Sequence, residues 1–246
     1  MIFFLSVLFS PLLCGEEVEF RGAKFTVYRI DPAKEKLEVF WRDKKGEPYL
    51  TFEALQAALK LRGKRLKFAV NAGIYAPGFS PEGLHVEEGK KLVSLNLKNA
   101  PGNFYLKPNG VFFIDRDGAA GVMESLRFKR SKQGVRLAVQ SGPLLLDRGK
   151  VHHKFNEPSK NLLLRNGVGV DDRGRIVFAC SDRSEHGKIG RINLYGFAML
   201  FKKLGCESAL FLDGDISEMF ISGETGTLQR TSAFAAMFGI VEELKE

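Results

Sequence analysis

The sequence feature that most constrains the fold is a succession of short apolar runs, each stopped within a few residues by Gly, Asn, Asp or Pro. Runs of that length suit strands, because a helix needs ten or more residues at 3.6-residue spacing. Two segments reach that length. One is FEALQAALKLR, with Thr51 placed to cap it and Gly63 to stop it. The other carries Leu194, Phe197, Phe201 and Leu204 between the N-cap Asn193 and the stop Gly205. The remaining runs predict strands at Lys24–Ile30, Lys36–Arg42, Phe68–Asn71, Leu84–Glu88, Lys91–Leu95, Asn109–Asp115, Val135–Leu146, Asn166–Asp171, Arg175–Ser181, Ala209–Leu212, Met219–Ser222 and Ala235–Val241. Turns are expected at Asp31-Pro32, Glu88-Gly89-Lys90 and Asp171-Asp172-Arg173-Gly174. There is no linker-like stretch, internal repeat or heptad run. The 246 residues therefore predict one α+β domain, a mixed sheet of many short strands with few helices.

Residues 1–15, MIFFLSVLFSPLLCG, carry no charge. Their apolar run has the length of a signal-peptide core and is short for a membrane span. The expectation is an export signal cut near Gly15, a domain at 16–246, a periplasmic or extracellular location and no transmembrane span after cleavage. Export permits a disulfide between Cys180 and Cys206; two buried thiols are the other reading, and both stay open. No Cys/His spacing resembles a zinc site.

The formal charge is +8, yet residues 207–246 alone carry −6, leaving +14 on the rest. A basic body invites an anionic partner. No nucleic-acid-binding module accompanies the charge, so nucleic acid is not the expected partner. A phosphate-bearing ligand held beside an acidic strand end fits better.

Five polar clusters sit where strands are expected to end, which is where scaffolds present functional groups. They are NAGIY (71–75), NFYLKPNGVFF (103–113), QSGPLLL (140–146), RNGVGV (165–170) and FLDGDISEMF (211–220). The last places Asp213, Asp215 and Glu218 directly after the apolar run ALFL. A carboxylate at such an exit is partly desolvated, which raises its pKa and suits acid/base work. Glycosidic cleavage generally uses two carboxylates. Glu218 and Glu82 are the candidates for the second. Arg165 is the candidate to hold a phosphate through a bidentate contact, with Asn166 and Ser141 as further candidate contacts. Asp213, Asp215, Ser217 and Glu224 match a calcium-loop spacing, but Glu218 stands where its glycine belongs and the flanks read as strands. A looser divalent site at Asp213 and Asp215 stays open, and no other cofactor is expected. No nucleophile elbow, Walker loop or HExxH motif is present. His85, His152, His153 and His186 are expected to be solvated loop residues.

Taken in order, the five clusters resemble the phosphodiester glycosidase family over about Lys67–Val241, with PNGVFF, QSGPLLL and INLYGFAMLF closest to a bacterial exported branch. NAGIY is similar to that family's Asn-Gly-Gly-aromatic motif, and LDGDIS to its Leu-Asp-Gly-Gly-Gly-Ser motif. The resemblance implies that Asn71, Arg165, Asp213 and Ser217 line one pocket and that the reaction is hydrolysis of a sugar-1-phosphodiester. The implied partner is a glycosyl phosphodiester or an anionic glycan. Asp215 and Ile216 stand where the family has glycine, which predicts a narrowed or differently charged site. Two other readings follow from that departure and from the paired aspartates: a non-catalytic glycan-binding module on the same fold, and a metal-dependent phosphodiesterase.

Overall fold

A computed structural model describes residues 15–132, 134–183, 189–223 and 232–244. Strands β1 (Glu16–Phe20), β2 (Ala23–Ile30) and β3 (Leu37–Phe40) lead to helix α1 (Phe52–Lys60). Strand β4 (Lys64–Asn71) follows, then the two-residue strands β5 (Tyr75–Ala76) and β6 (Ser80–Pro81), and the hairpin β7 (His85–Glu87) and β8 (Lys90–Val93). Strands β9 (Gly110–Asp115) and β10 (Ala120–Glu124) precede helix α2 (Ser125–Ser131). Strands β11 (Val135–Ser141), β12 (Leu144–Asp147), β13 (Lys150–Val151), β14 (Asn166–Asp171) and β15 (Ile176–Ser181) run on to helix α3 (Leu194–Lys203). Strands β16 (Cys206–Asp213), β17 (Met219–Ile221) and β18 (Met237–Glu243) complete the order.

The strands form three main sheets, in the orders β1-β2-β15-β14-β16-β12-β13, β10-β9-β11-β7-β8 and β17-β4-β18-β3. Every pairing within them is antiparallel. Alternation divides the seven-stranded sheet into two apolar faces. Leu210 and Leu212 of β16 join Phe68, Val70, Phe112, Phe178 and Phe238 in the core shared with the two smaller sheets. Ala209 and Phe211 turn the other way, onto Phe197, Leu200 and Phe201 of α3. Helix α1 covers the outer face of the four-stranded sheet, and Phe128 of α2 packs on the five-stranded one. Phe178 is fully buried at the junction, its ring against those of Phe68, Phe112 and Phe238. A Phe178→Ala cavity there costs about 3–5 kcal/mol.

Helix boundaries follow the sequence closely. Thr51 Oγ1 accepts from Ala54 N at 3.1 Å, and Asn193 Oδ1 accepts from Gly196 N at 2.7 Å. Each cap satisfies a backbone donor that the first turn leaves unpaired. Several expectations need correction. The run Val135–Leu146 is two strands in two different sheets, broken at Gly142-Pro143. A side chain at 142 would meet Asn109 Cβ at 2.6 Å, and proline lacks the N–H that a continuing ladder needs. Helix α2 has no Ser, Thr, Asp or Asn at its cap; Glu124 fills that role through Leu126 N and Arg127 N, both at 2.9 Å. Cys180 and Cys206 are separate buried thiols. They pair with Asn166 and Asp171, at opposite ends of β14, which puts them about 17 Å apart.

His85 and His152 are buried rather than solvated, His85 because β7 is an interior strand of its sheet and His152 because Phe155 stacks on its ring. The acidic C-terminal segment is not one patch. Glu242 and Glu243 pair with Arg65 and Lys64 across the β18–β4 ladder, while Asp213 and Asp215 sit at the far end of β16 from Glu207. The segment before Gly15, where an export signal is expected, and His186 and Glu224 lie outside the described residues.

Candidate active site

Strands β4, β14 and β16 converge at one end, where Asn71, Asn166 and Asp213 are their terminal residues. Asn166 and Asp213 are register partners across the β14–β16 ladder. Asn166 Nδ2 donates to Asn71 O at 2.7 Å and to Asn71 Oδ1 at 2.8 Å, tying the seven-stranded sheet to the four-stranded one. Asn71 Oδ1 also accepts from Glu218 N at 2.9 Å, and Asn71 N donates to Glu218 O at 3.3 Å. The loop after β16 is thus fastened to the end of β4, and a tight turn from Ser217 N to Gly214 O at 2.8 Å shapes it.

The NAGIY segment is stapled to the same place. Ser141 Oγ accepts from Ile74 N at 3.2 Å and donates to Leu212 O at 3.1 Å. Gly73 passes so close that an added Cβ would lie 3.0 Å from Gln140 O and from Ser141 Cβ. Glycine is what lets this backbone approach. Tyr75 then lies beside Asp213, its hydroxyl donating to Ala233 O at 3.1 Å and its ring stacked on Phe79. Burial first, and the Asp213 charge second, push the Tyr75 phenol up from its ordinary value.

Burial pushes the Asp213 carboxyl from 3.8 up to about 6, against the opposing pull of Gly214 N and the Asn71 amide. Gly214 N donates to Asp213 Oδ1 at 2.7 Å. The Asn71 Nδ2 is close enough to act electrostatically but stops short of hydrogen-bond geometry, and it has no other partner. Asn166 Oδ1 and Ser217 Oγ are likewise buried without a partner. Three unsatisfied polar atoms, on residues no more than 1% exposed, therefore share the loops around one desolvated carboxyl. Buried polar groups are rarely left unpaired unless a ligand or water completes them.

Other nominated residues are placed differently. Arg165 immediately precedes Asn166, the first residue of β14, but its side chain lies with Phe211 instead of Asn71. Its guanidinium lies over the Phe211 ring, with Nε donating to Ile192 O at 3.1 Å and Nη2 to Asn161 O at 3.2 Å. Burial pushes its pKa down to about 10, with Asp215 opposing. The structure thus employs Arg165 in bracing the scaffold, with no hydrogen bond or ion pair to Asp213 among the described residues. Glu82 binds the Tyr105 hydroxyl and the Asn96 amide, on the loop beyond Ile74. Asp215 Oδ1 accepts from Leu164 N at 3.0 Å and faces Arg191 at 3.5 Å, so it is directed away from Asp213. Among the described residues, no group of three or more His, Cys, Asp or Glu forms a metal-binding cluster. Ile216 packs with the α1 cluster. The two side chains that replace glycine are therefore engaged with Leu164, Arg191 and the α1 cluster.

Sequence reasoning gave no role to Tyr75, although its aromatic place in NAGIY was a signal. It also missed Arg183, which donates to Asp215 O and, at 3.4 Å, to Ser217 O, lying across the loop that carries Asp213.

The phosphodiester glycosidase family profile matches residues 64–239, the span that contains every residue of the cluster. YigE of Escherichia coli (strain K12), a protein of uncharacterised function, is 34% identical over 232 residues, covering 92% of this chain and 87% of its own. The catalytic domain of zebrafish N-acetylglucosamine-1-phosphodiester alpha-N-acetylglucosaminidase, auto-inhibited by its pro-peptide, superposes with a TM-score of 0.63 at 15% identity. That match covers 92% of this chain and 81% of the zebrafish domain. A hypothetical protein from Synechocystis superposes at 0.55, over 92% of this chain and 61% of its own. With the profile spanning most of the chain and a curated relative aligned along nearly all of it, this protein belongs to the phosphodiester glycosidase family.

Proposed function

We propose that the chain is an exported hydrolase that cleaves a sugar-1-phosphodiester of envelope or polysaccharide material, releasing free sugar and a phosphomonoester. The observation that carries this reading is the Asp213 carboxyl, desolvated at the exit of β16 and surrounded by the unpartnered polar atoms of Asn71, Asn166 and Ser217. A carboxyl titrating near the operating pH is the effective kind of general base. In this reading the ionised Asp213 takes a proton from water as that water attacks the anomeric carbon. The carbon–oxygen bond to phosphate breaks and its electron pair leaves with the phosphomonoester, which needs little protonation once its charge is balanced.

Arg183 lies over the loop and balances that charge, the role expected of Arg165, whose donors brace the 161–165 and 192 segments. Asn71, Asn166 and Ser217 contact sugar hydroxyls or phosphate oxygens. Glu218, fastened through its backbone to Asn71, is the second carboxylate in preference to Glu82, which holds Tyr105. Ser141 positions the loop and makes no substrate contact. Export rests on the uncharged leader, and N-terminal sequencing of secreted protein should find cleavage near Gly15.

The deciding experiment follows oxygen-18 from labelled water during hydrolysis of a panel of sugar-1-phosphodiesters. Label in the sugar is expected. Label in the phosphate with chelator-sensitive turnover would instead establish a metal-dependent phosphodiesterase. Binding without turnover across the panel would establish a glycan-binding module.

A further inference from the structure

We propose that the Tyr75 ring, backed by Phe79, is the surface on which the sugar of the substrate lies, so that the group cleaved at Asp213 is a pyranose presenting an apolar C–H face. The inference rests on the hydrolase reading for the presence of a sugar, and adds what recognises it.

One hydroxyl sets the placement. Ser141 Oγ accepts from Ile74 N at 3.2 Å and donates to Leu212 O at 3.1 Å. Tyr75 and Asp213 are the next residues beyond the two ends of that bridge, so ring and carboxyl are neighbours at the same site. The Asp213 charge reaches the Tyr75 phenol. The ring is fixed in orientation. Its hydroxyl donates to Ala233 O at 3.1 Å, and the Phe79 ring stacks on it with centroids 5.4 Å apart and planes 26° from parallel. With its proton committed to a backbone carbonyl, Tyr75 is poorly placed to act as an acid. Its half-buried ring is what it offers a ligand.

Two observations argue against a purely structural aromatic pair. Neither ring joins the apolar clusters that hold the three main sheets and the helices together. Phe79 also takes a φ of +54°, directly after Gly78 at +80°, in the connection from β5 to β6. A bulky side chain is an outlier in this left-handed region, where glycine sits without strain. Such strain persists only where the surroundings enforce it, and it gathers at ligand clamps. Here Trp41 enforces it, with Nε1 donating to Phe79 O at 2.9 Å.

The occupant follows from the contrast between two groups of contacts. Asn71, Asn166 and Ser217 supply buried polar atoms without partners, and Tyr75 supplies a flat apolar surface. A pyranose has both characters, hydroxyls around its edge and C–H bonds on its faces. An alkyl chain would leave the polar atoms unpaired, and a phosphodiester without a ring would leave the aromatic surface unused.

The test is a calorimetric titration of the full chain carrying D213N, which removes turnover. The probes are methyl α-D-glucopyranosyl phosphate, methyl α-D-galactopyranosyl phosphate and dimethyl phosphate. At least one pyranosyl ester should bind roughly tenfold or more tighter than dimethyl phosphate. Adding Y75F, which keeps the ring, should change that Kd by less than about threefold, whereas Y75L should weaken it roughly tenfold or more. F79G, which relieves the strained φ, should stay folded and bind more weakly. Trp41 is the sole tryptophan, so its one indole N–H signal in NMR should shift at saturation. The proposal is overturned if no pyranosyl ester outbinds dimethyl phosphate, if Y75F and Y75L behave alike, or if Y75L loses stability but keeps its affinity. Ring-dependent binding without hydrolysis by wild type would refute the hydrolase reading and leave the sugar platform standing. Hydrolysis by wild type that Y75L leaves unaltered would do the reverse.

Discussion

Strand β14 and its neighbour β16 carry an aspartate at each end of their ladder, and the two aspartates live in opposite electrostatic worlds. Asp171 pairs opposite Cys206, and Asp213 pairs opposite Asn166. Asp171 is buried and saturated: Arg173 N, Arg175 N and Arg175 Nε donate to it at 2.9–3.0 Å, and Arg29 adds an ion pair at 3.5 Å. Asp213 keeps one backbone donor and is pushed up to about 6. Burial alone therefore does not mark a working carboxyl. A structural aspartate gathers donors until its charge is balanced, whereas the candidate catalytic one is left short of partners beside other polar atoms that also lack them.

The sharpest way to break this contrast is to neutralise each aspartate. Asp213→Asn should lower turnover of a sugar-1-phosphodiester by about 10²–10⁴-fold, the span that general acid/base groups contribute, with the far-UV spectrum unchanged. Asp171→Asn should leave turnover per folded molecule within about twofold while lowering unfolding free energy by about 2–4 kcal/mol, because Arg29 and Arg175 lose their counter-charge. Equal activity losses in the two variants would end the distinction.

Stability should also respond to pH through Asp213 with a definite sign. Its folded pKa, about 6, lies above the ordinary 3.8, so the folded chain holds that proton more tightly. The associated stability is complete below pH 3.8 and is lost as pH rises through about 6. Urea titrations should therefore find wild type falling behind Asp213→Asn across that window, by up to about 3 kcal/mol, and tracking it above. Activity should rise over the same interval. A flat difference from pH 4 to 7 would contradict the assignment.

Smaller effects test the supports. Ser141→Ala removes the staple between Ile74 and Leu212 and should cost about 1–2 kcal/mol, with kcat falling more than KM rises as Tyr75 and Asn71 lose register. Thr51→Ala, at the cap of α1 and outside the cluster, should cost about 1 kcal/mol and leave kcat unchanged. Calorimetry beside steady-state kinetics separates the two.

The sequence announced the elements whose signals are local. The run ALFL ending in Asp213 is a strand exit wherever it packs, and Thr51 and Asn193 are caps by their own chemistry. Signals that depend on long-range partners were not legible. Arg165 and Asn166 are adjacent where β14 begins, yet one side chain joins Asn71 and the other Phe211, and only the packing decides which. Ser141 looks like a candidate contact until the fold buries it, accepting from Ile74 N and donating to Leu212 O. Asp215 and Ile216 looked obstructive in the alignment of motifs because a string of letters does not say that one turns to Leu164 and the other to the α1 cluster. His152 looked like a solvated loop residue for the same reason: the ring of Phe155 that covers it is visible only in three dimensions.

The Asn71 amide has one further consequence, in the time domain. Its partners Asn166 and Glu218 are 95 and 147 residues away along the chain, one at the start of β14 in the seven-stranded sheet and the other on the loop between β16 and β17. Closing such long loops is what slows β-rich proteins on their way to the native state. No half-assembled chain with a single sheet formed can present this carboxyl correctly. Enzymatic activity should accordingly be the last signal to return on refolding, lagging the far-UV signature of the strands.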